Sequence, residues 1–317
     1  MRVLYAGTPR IAVPALDAVV RSRHELVGVL TAPDRQSGRG RAMRASPVKE
    51  RAREIGVPVL QPERLGGDTR VELSMLEPDL LACFAYGKIF GPRFLALFRC
   101  GGLNVHPSLL PRHRGPAPIP AAILAGDVET GVTVQGIARE TDAGDIYAQE
   151  RIPLTGTETT ESLTELCAAI GAQLLVQAIS RIDDGTASPT PQDEGLATHT
   201  RLVRKEDGLV DWTLPSESID RMVRAYTPWP RAYTSFRGET LSILESAPAS
   251  NVPDGSGAGD AVPGQVLRVD TSLGILVQTG SGRLALRRLQ LQSRKPLDWR
   301  SFLNGVPDFI GAVLGGS

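Results

Sequence analysis

Leu80-Leu81-Ala82-Cys83-Phe84-Ala85 is an uninterrupted apolar run of strand length. A strand with one wet face alternates apolar and polar residues, whereas a strand covered on both faces does not. The run therefore reads as a buried strand of a parallel sheet. The flanking sequence agrees. Val3-Leu4-Tyr5 reads as a first strand, and the turn Ala6-Gly7-Thr8-Pro9 leads into a helix carrying Val13, Leu16, Ala18, Val19 and Val20. Residues 26–30 form a second apolar run. A basic, glycine-containing loop follows, and then a helix over about 46–55, with Ser46 as its cap and Pro47 at its first position. Residues 57–60 suit another short strand. Strands alternating with helices imply βαβ units and a Rossmann-like, mostly parallel α/β sheet. No Gly-x-Gly-x-x-Gly follows the first strand, and Gly7-Thr8-Pro9 is no substitute, which weakens any nicotinamide reading.

The second half has a different rhythm. Residues 162–182 place Leu163, Leu166, Ile170, Leu174, Leu175 and Ala178 on an amphipathic helix. After Asp183-Asp184-Gly185 the chain is polar and loop-like to about Asp207. The expected organisation is a first domain over 1–189, a linker over 190–207 and a second domain over 208–317. That last part opens with a helix over about 216–226. Strand-like runs follow near 233–236, 241–244, 265–269, 274–278 and 283–291, with a hairpin signal at Gly280-Ser281-Gly282. Several short strands in so few residues suggest a small barrel. Residues 247–264, rich in Pro, Gly, Ser and Asp, read as a loop outside the chemistry.

A chain of 317 residues is comfortable for two domains, and 41% hydrophobic with 22% charged residues reads as soluble and globular. No signal peptide or transmembrane run is legible after Met1, so a cytoplasmic location is expected. Cys83, Cys100 and Cys167 are odd in number and widely spaced, which fits buried reduced thiols better than a disulfide framework or a metal site. The net charge is zero, which argues against a general nucleic-acid coat. Yet Arg35, Arg39, Arg41, Arg44, Lys49, Arg51 and Arg53 stand against only Glu50, and Arg283, Arg287, Arg288, Arg294, Lys295 and Arg300 against only Asp298. Two basic clusters on a neutral chain suit one defined polyanion, or simply two solvated faces.

The chemistry concentrates in Asn104-Val105-His106-Pro107-Ser108-Leu109-Leu110-Pro111 and in Asp142-Ala143-Gly144-Asp145. On a strand, Asn104 and His106 point to the same side. They sit where ligands bind in such sheets, beyond the carboxyl ends of the strands. Asp142 follows the apolar run 132–137 in a glycine-containing turn. An amide donor, an imidazole and a carboxylate suit a reaction that builds negative charge on a carbonyl oxygen while moving a proton. Ser108 has no sequence-adjacent base and does not read as a nucleophile.

These motifs resemble the folate-dependent formyltransferases, and the resemblance covers nearly the whole chain. Ala6-Gly7-Thr8-Pro9, the loop Pro33-Asp34-Arg35-Gln36-Ser37-Gly38-Arg39-Gly40 and Ala225-Tyr226-Thr227-Pro228-Trp229-Pro230 resemble the branch that formylates initiator methionyl-tRNA. The resemblance implies an OB-like second domain, 10-formyltetrahydrofolate as donor, and no metal. It implies catalytic roles for Asn104, His106 and Asp142, the last by its place in Asp-x-Gly-Asp, with Asp145 the carboxylate most easily confused with it. It makes Ser108, Leu109, Leu110 and Pro111 the folate-contacting loop, with Phe84, Tyr86 and Gly87 in the wall beside it. Arg39, with Arg41 and Arg35 nearby, would meet the acceptor stem, and Arg287 and Arg288 would follow phosphates from the second domain. In chemical terms, Asn104 would donate to the oxyanion, while Asp142 would orient His106 and favour its imidazolium form. A monomer is expected. Two alternatives stay open at this stage: a sugar-nucleotide formyltransferase, and a catalytically silent tRNA-binding protein on the same fold.

Overall fold

The computed structural model describes residues 1–37, 42–249 and 261–315. The chain divides into two compact units. The first comprises Met1–Pro118, Glu129–Leu154 and Leu163–Arg201, and the second Ile119–Val128, Thr155–Ser162 and Leu202–Ser317.

The strands of the first unit are β1 (Arg2–Gly7), β2 (Glu25–Leu30), β3 (Arg35–Ser37), β4 (Ala42–Arg44), β5 (Val59–Leu60), β6 (Leu80–Phe84), β7 (Gly102–His106), β8 (Glu129–Gly136) and β9 (Ile146–Pro153). Among the described residues the main sheet has the order β5-β2-β1-β6-β7-β8-β9. Pairing is parallel from β5 to β7 and antiparallel for β7-β8 and β8-β9. The apolar run from Leu80 is thus a central strand, buried at every residue from Leu80 to Phe84 as its lack of alternation predicted, while Ala85 follows it exposed. The helix Pro47–Glu54 begins as read, with Ser46 Oγ accepting from the Lys49 amide at 3.1 Å.

Side chains of the sheet alternate between two faces. On one face Leu4, Ala6, Leu30, Leu81 and Cys83 pack under a row of rings at four-residue spacing. Tyr86, Phe90, Phe94 and Phe98 stand 5.5, 5.3 and 5.7 Å apart between successive centroids. The other face meets the helix Thr160–Asp183 at Gly171, where an added Cβ would lie 2.7 Å from Val105 Cγ1 and 3.5 Å from Phe84 Cε1. That helix is long and apolar enough to cross a membrane by composition, but its apolar side is core: Leu163, Cys167, Leu174, Leu175 and Ile179 are buried. Cys83, Cys100 and Cys167 are free thiols, and burial pushes Cys83 and Cys167 up to about 12.

The basic loop after β2 contains a two-stranded hairpin, β3-β4, in which Arg35 lies opposite Arg44. Arg39 and Arg41 fall outside the described residues, as does most of the loop expected at 247–264.

The second unit is the small antiparallel β domain expected from the sequence. Its strands are β10 (Ala232–Phe236), β11 (Glu239–Pro248), β12 (Val266–Asp270), β13 (Gly274–Gln278), β14 (Arg283–Leu291) and β15 (Leu297–Asp298). They are ordered β10-β11-β14-β13-β12 with β15 on β14, all antiparallel among the described residues. The helix Ser216–Ala225 buries Ile219, Met222 and Val223, an i, i+3, i+4 stripe. Phe309 meets both Phe236 and Phe302 edge to face at 5.0 Å. Asp298, the lone acid of the second basic cluster, caps the helix Trp299–Gly305 through the amides of Arg300 and Ser301, an arrangement that contributes about 1 kcal/mol.

Candidate active site

Register explains why the three motif residues meet. Asn104 pairs with Cys83 on one side and Gln135 on the other, and His106 pairs with Thr133. Asn104, His106, Thr133 and Gln135 therefore share a sheet face at the carboxyl end of β7. The turn after β8 returns Asp142 to that face. Its carboxylate accepts from Gln135 Nε2 at 2.8 Å and from Asn104 Nδ2 at 3.4 Å on one oxygen, and from the Gly115 amide at 2.8 Å on the other. Asp142 adopts φ of 55°, a left-handed conformation tolerated because short polar side chains can bond locally. Asp145 is exposed, whereas Asp142 is part-buried.

His106 is held from two sides. Nε2 lies 2.9 Å from the carbonyl of His113, so in the neutral ring the proton belongs on Nε2. Nδ1 then presents a lone pair 3.6 Å from Asp142 Oδ2. Burial is the largest influence on this ring and draws its pKa below 6.5, against the opposing pull of Asp142 and of the His113 carbonyl. Asp142 does favour imidazolium, as expected, but desolvation outweighs it and the net shift is downward.

Glycines make the approach possible. A Cβ on Gly144 would fall 1.8 Å from the Gly136 carbonyl oxygen, so the turn after Asp142 lies against β8 as only glycine allows. Gly115, whose amide holds Asp142, has φ of 105°.

The Ser108–Pro111 loop is bolted down by its own polar groups. Ser108 is fully buried, and its hydroxyl donates to the Arg112 carbonyl at 2.6 Å. Thr133 Oγ1 donates to the Ser108 carbonyl, the Leu110 amide donates to Thr133 Oγ1, and Gln149 Nε2 donates to the Leu110 carbonyl. Leu110 is buried and Leu109 covers Gly131. Phe84 requires a correction. It shares the register position of Val105, so its ring lies on the opposite face, against Gly171, and cannot line this site. Tyr86 is on the site's face, stacked on Phe90 with a buried hydroxyl that has no hydrogen-bond partner among the described residues. Gly87, with φ of 83°, is exposed.

Sequence reading missed the polar residues that hold Asp142 and its turn, Gln135 and Gln192. The stretch expected as a linker divides at residue 201, and its first part belongs to the first unit. Thr190 pairs with Ile146, and His199 bridges to Arg114. Between them Gln192 Nε2 donates to the carbonyls of Gly144 at 2.7 Å and Asp142 at 3.0 Å. Its Oε1 accepts from Arg114 Nη2 at 2.8 Å, and Arg114, 3% exposed, also forks onto Glu194. Gln135, opposite Asn104, was equally unread. Strand alternation could have flagged it as a polar residue in an apolar run.

The basic clusters prove uneven. Lys49 is buried on Asp34 at 2.6 Å, and Arg51 pairs with Asp17 and Glu54. Arg35 and Arg44 are exposed on the hairpin. In the second unit Arg283 is buried and Arg288 pairs with Glu245, while Arg287 is exposed with its Nε on the Leu273 carbonyl. A polar cavity of about 340 Å³ opens elsewhere in this unit, lined by Lys205, Arg231, Ser242 and Gln290 among others.

Comparison with known proteins agrees with the geometry. Residues 1–179 match the formyl transferase family model, and residues 202–307 match the model of the formyl transferase C-terminal domain. A methionyl-tRNA formyltransferase of Treponema denticola is 48% identical over 98% of both chains, and one of Chloroflexus aurantiacus is 46% identical over 96% of this chain and 97% of the relative. More distant likeness supports the fold alone. An N-formyltransferase of Helicobacter canadensis, solved with folinic acid and dTDP-3-aminofucose, aligns with a TM-score of 0.65 at 18% identity, covering 92% of this chain and 99% of that one. HypX of Aquifex aeolicus, solved with tetrahydrofolic acid, aligns with a TM-score of 0.63 at 19% identity, covering 98% of this chain and 48% of that one. With both family models matched in order and close relatives aligned end to end, this chain belongs to the formyl transferase family.

Proposed function

We propose that this protein transfers the formyl group of 10-formyltetrahydrofolate to the α-amino group of the methionyl moiety of initiator methionyl-tRNA. The observation that carries the chemistry is the convergence of Asn104, His106 and Asp142 at the end of β7. The acceptor is argued from the close relatives, whose similarity extends over both domains.

Formyl transfer forms a bond between the amine nitrogen and the formyl carbon and breaks the carbon–nitrogen bond to the donor. The attacking amine loses a proton and the departing nitrogen gains one. Asn104 has two amide hydrogens, and only one is directed at Asp142, through a long contact of 3.4 Å. The other serves the oxygen that becomes anionic. Neutral His106, with its Nδ1 lone pair beside Asp142, can take up the proton of the amine, and Asp142 stabilises the imidazolium that results. Proton return to the leaving nitrogen restores the neutral ring. An α-amino group titrates near 7.7–8.0, so part of the acceptor is already unprotonated at neutral pH and a strong base is not needed.

For the donor, we assign the loop of residues 108–111, held in one conformation by its own hydrogen bonds, together with exposed Gly87 and the apolar stack that begins at Tyr86, a combination suited to a flat heteroaromatic ring. For the acceptor, the exposed Arg35/Arg44 hairpin supplies cations for acceptor-stem phosphates, and Arg39 and Arg41, which lie between its strands in the sequence, are assigned the same role. Arg287 and the Lys205/Arg231 cavity supply others on the second domain.

The test is a formyl-transfer assay on purified protein with radiolabelled methionyl initiator tRNA, with and without 10-formyltetrahydrofolate. Folate-dependent formylmethionine is the expected product. tRNA binding without turnover would indicate the silent binder, and turnover with an amino-sugar nucleotide alone would indicate the sugar enzyme.

A further inference from the structure

We infer that Gln192 is a positioning residue for Asp142: its side-chain amide clamps the backbone of the 142–144 turn and so fixes where the carboxylate points. The inference rests on the catalytic reading of Asp142 given above.

The strap over 190–200 is fastened at both ends and open to solvent in the middle. At one end Thr190 and Ile146 exchange backbone hydrogen bonds at 2.8 and 3.0 Å. At the other, the Arg114 amide donates to the Thr198 carbonyl and the Thr200 amide to the Arg114 carbonyl, each at 2.8 Å. Between Pro191 and Leu196 every residue is exposed except Gln192. A strap that only covered surface would have no use for one inward amide. This one spans the loops that fix the two ends of the candidate site.

Its Nε2 meets the carbonyls of Gly144 and Asp142 and, at the longer distance of 3.3 Å, Gln135 Oε1, so both of its hydrogens are committed to this turn and its neighbour. Its Oε1 accepts from Nε and Nη2 of Arg114 at 3.1 and 2.8 Å, so the orientation of the amide is set by a buried cation and not by chance. Arg114 is anchored in turn by Glu194. The residue before Arg114 supplies the carbonyl that holds His106, and the residue after it supplies the amide that holds Asp142. Gln192 thus joins the segment that orients the imidazole to the turn that carries the carboxylate. Asp142 sits in a left-handed backbone conformation on a turn wedged against Gly136, so small backbone shifts there redirect the side chain.

The experiment compares kcat and KM for formyl transfer in the full-length wild type, Gln192→Met, Gln192→Glu and Asp142→Ala, with thermal melts of each. Gln192→Met retains length and neutrality but has no donor. Gln192→Glu retains the contact to Arg114 but cannot donate to the two carbonyls. Both should lose kcat on the order of tenfold to a hundredfold, the scale of an ångström of misplacement, with KM for tRNA and folate unchanged. Retained melting temperature in Gln192→Glu would separate positioning from stability. Wild-type kcat in either folded variant, or a defect confined to KM, overturns the inference. If Gln192→Met does not fold, Gln192→Glu decides alone. Loss of turnover in Asp142→Ala with none in the Gln192 variants would sink only the positioning role. Full turnover in Asp142→Ala would instead overturn the catalytic reading beneath it.

Discussion

Nδ1 of His106 lies 3.6 Å from Oδ2 of Asp142 while Nε2 of the same ring donates to the His113 carbonyl at 2.9 Å. The ring is therefore poised as a proton acceptor whose other nitrogen is already committed. Burial holds its pKa below 6.5, so the neutral form persists through neutrality. The kcat–pH profile should show a His106 limb on the acid side, below about pH 6.5, separate from the titration of the acceptor amine near 7.7–8.0. A rate that rises on acidification would show that imidazolium is the working form.

Stability should follow the same direction. His24, lowered chiefly by burial, and His106 both bind a proton less readily in the native state than in the unfolded chain. Between the lowered native values and the ordinary 6.5 the unfolded state holds more protons, so stability is complete above about 6.5 and is lost as pH falls through the native values. Melting temperatures measured between about pH 7.5 and 5 should decline across that interval, and His24→Asn should flatten part of the decline.

Asn104→Ala removes the amide aimed at the developing oxyanion. Turnover should fall by about 10²–10³, with tRNA binding intact. Nearly unchanged turnover, measured with saturating methionyl-tRNA and formyl donor, would take Asn104 out of the mechanism.

Gly144→Ala tests the turn that brings Asp142 back to the sheet. The new Cβ would have to occupy space 1.8 Å from the Gly136 carbonyl, so the turn must move. A stability loss of at least about 1–3 kcal/mol is expected, the usual scale of overpacking, together with a loss of turnover that exceeds the unfolded fraction. Chemical denaturation alongside single-turnover kinetics would reveal whether the two effects separate.

Arg35→Ala and Arg44→Ala should each raise KM for tRNA and leave the folate KM alone. In log affinity against log salt, each lost phosphate contact should reduce the slope by about one. Slopes identical to wild type would remove the hairpin from the tRNA interface.

Much of this architecture is legible in the sequence because it is written in local patterns. The unbroken apolar run of β6, the cap at Ser46-Pro47 and the 219, 222, 223 stripe each follow from rules that act within a few residues. Asn104 and His106 were readable as neighbours because strand alternation places them together. Phe84 was misplaced for a related reason: alternation says that neighbours differ in face, but only the pairing of Cys83 with Asn104 says which of β6's faces is the site's. Gln192 and Arg114 escaped because their contacts join residues 48 to 80 positions apart across loops, where no period operates and a polar stretch looks like a linker.

The facing arginines of the β3-β4 hairpin have one more consequence. Like charges on opposite strands repel, so the free hairpin is least at ease in dilute buffer, where its own cations are least screened. A polyanion laid along it would relieve that repulsion, and so would added salt. Ionic strength should therefore act in two opposed senses at one place, ordering the unbound hairpin while loosening its grip on nucleic acid. Amide exchange at Gln36 and Met43 in the free protein should slow as salt rises, over the same range in which tRNA is released.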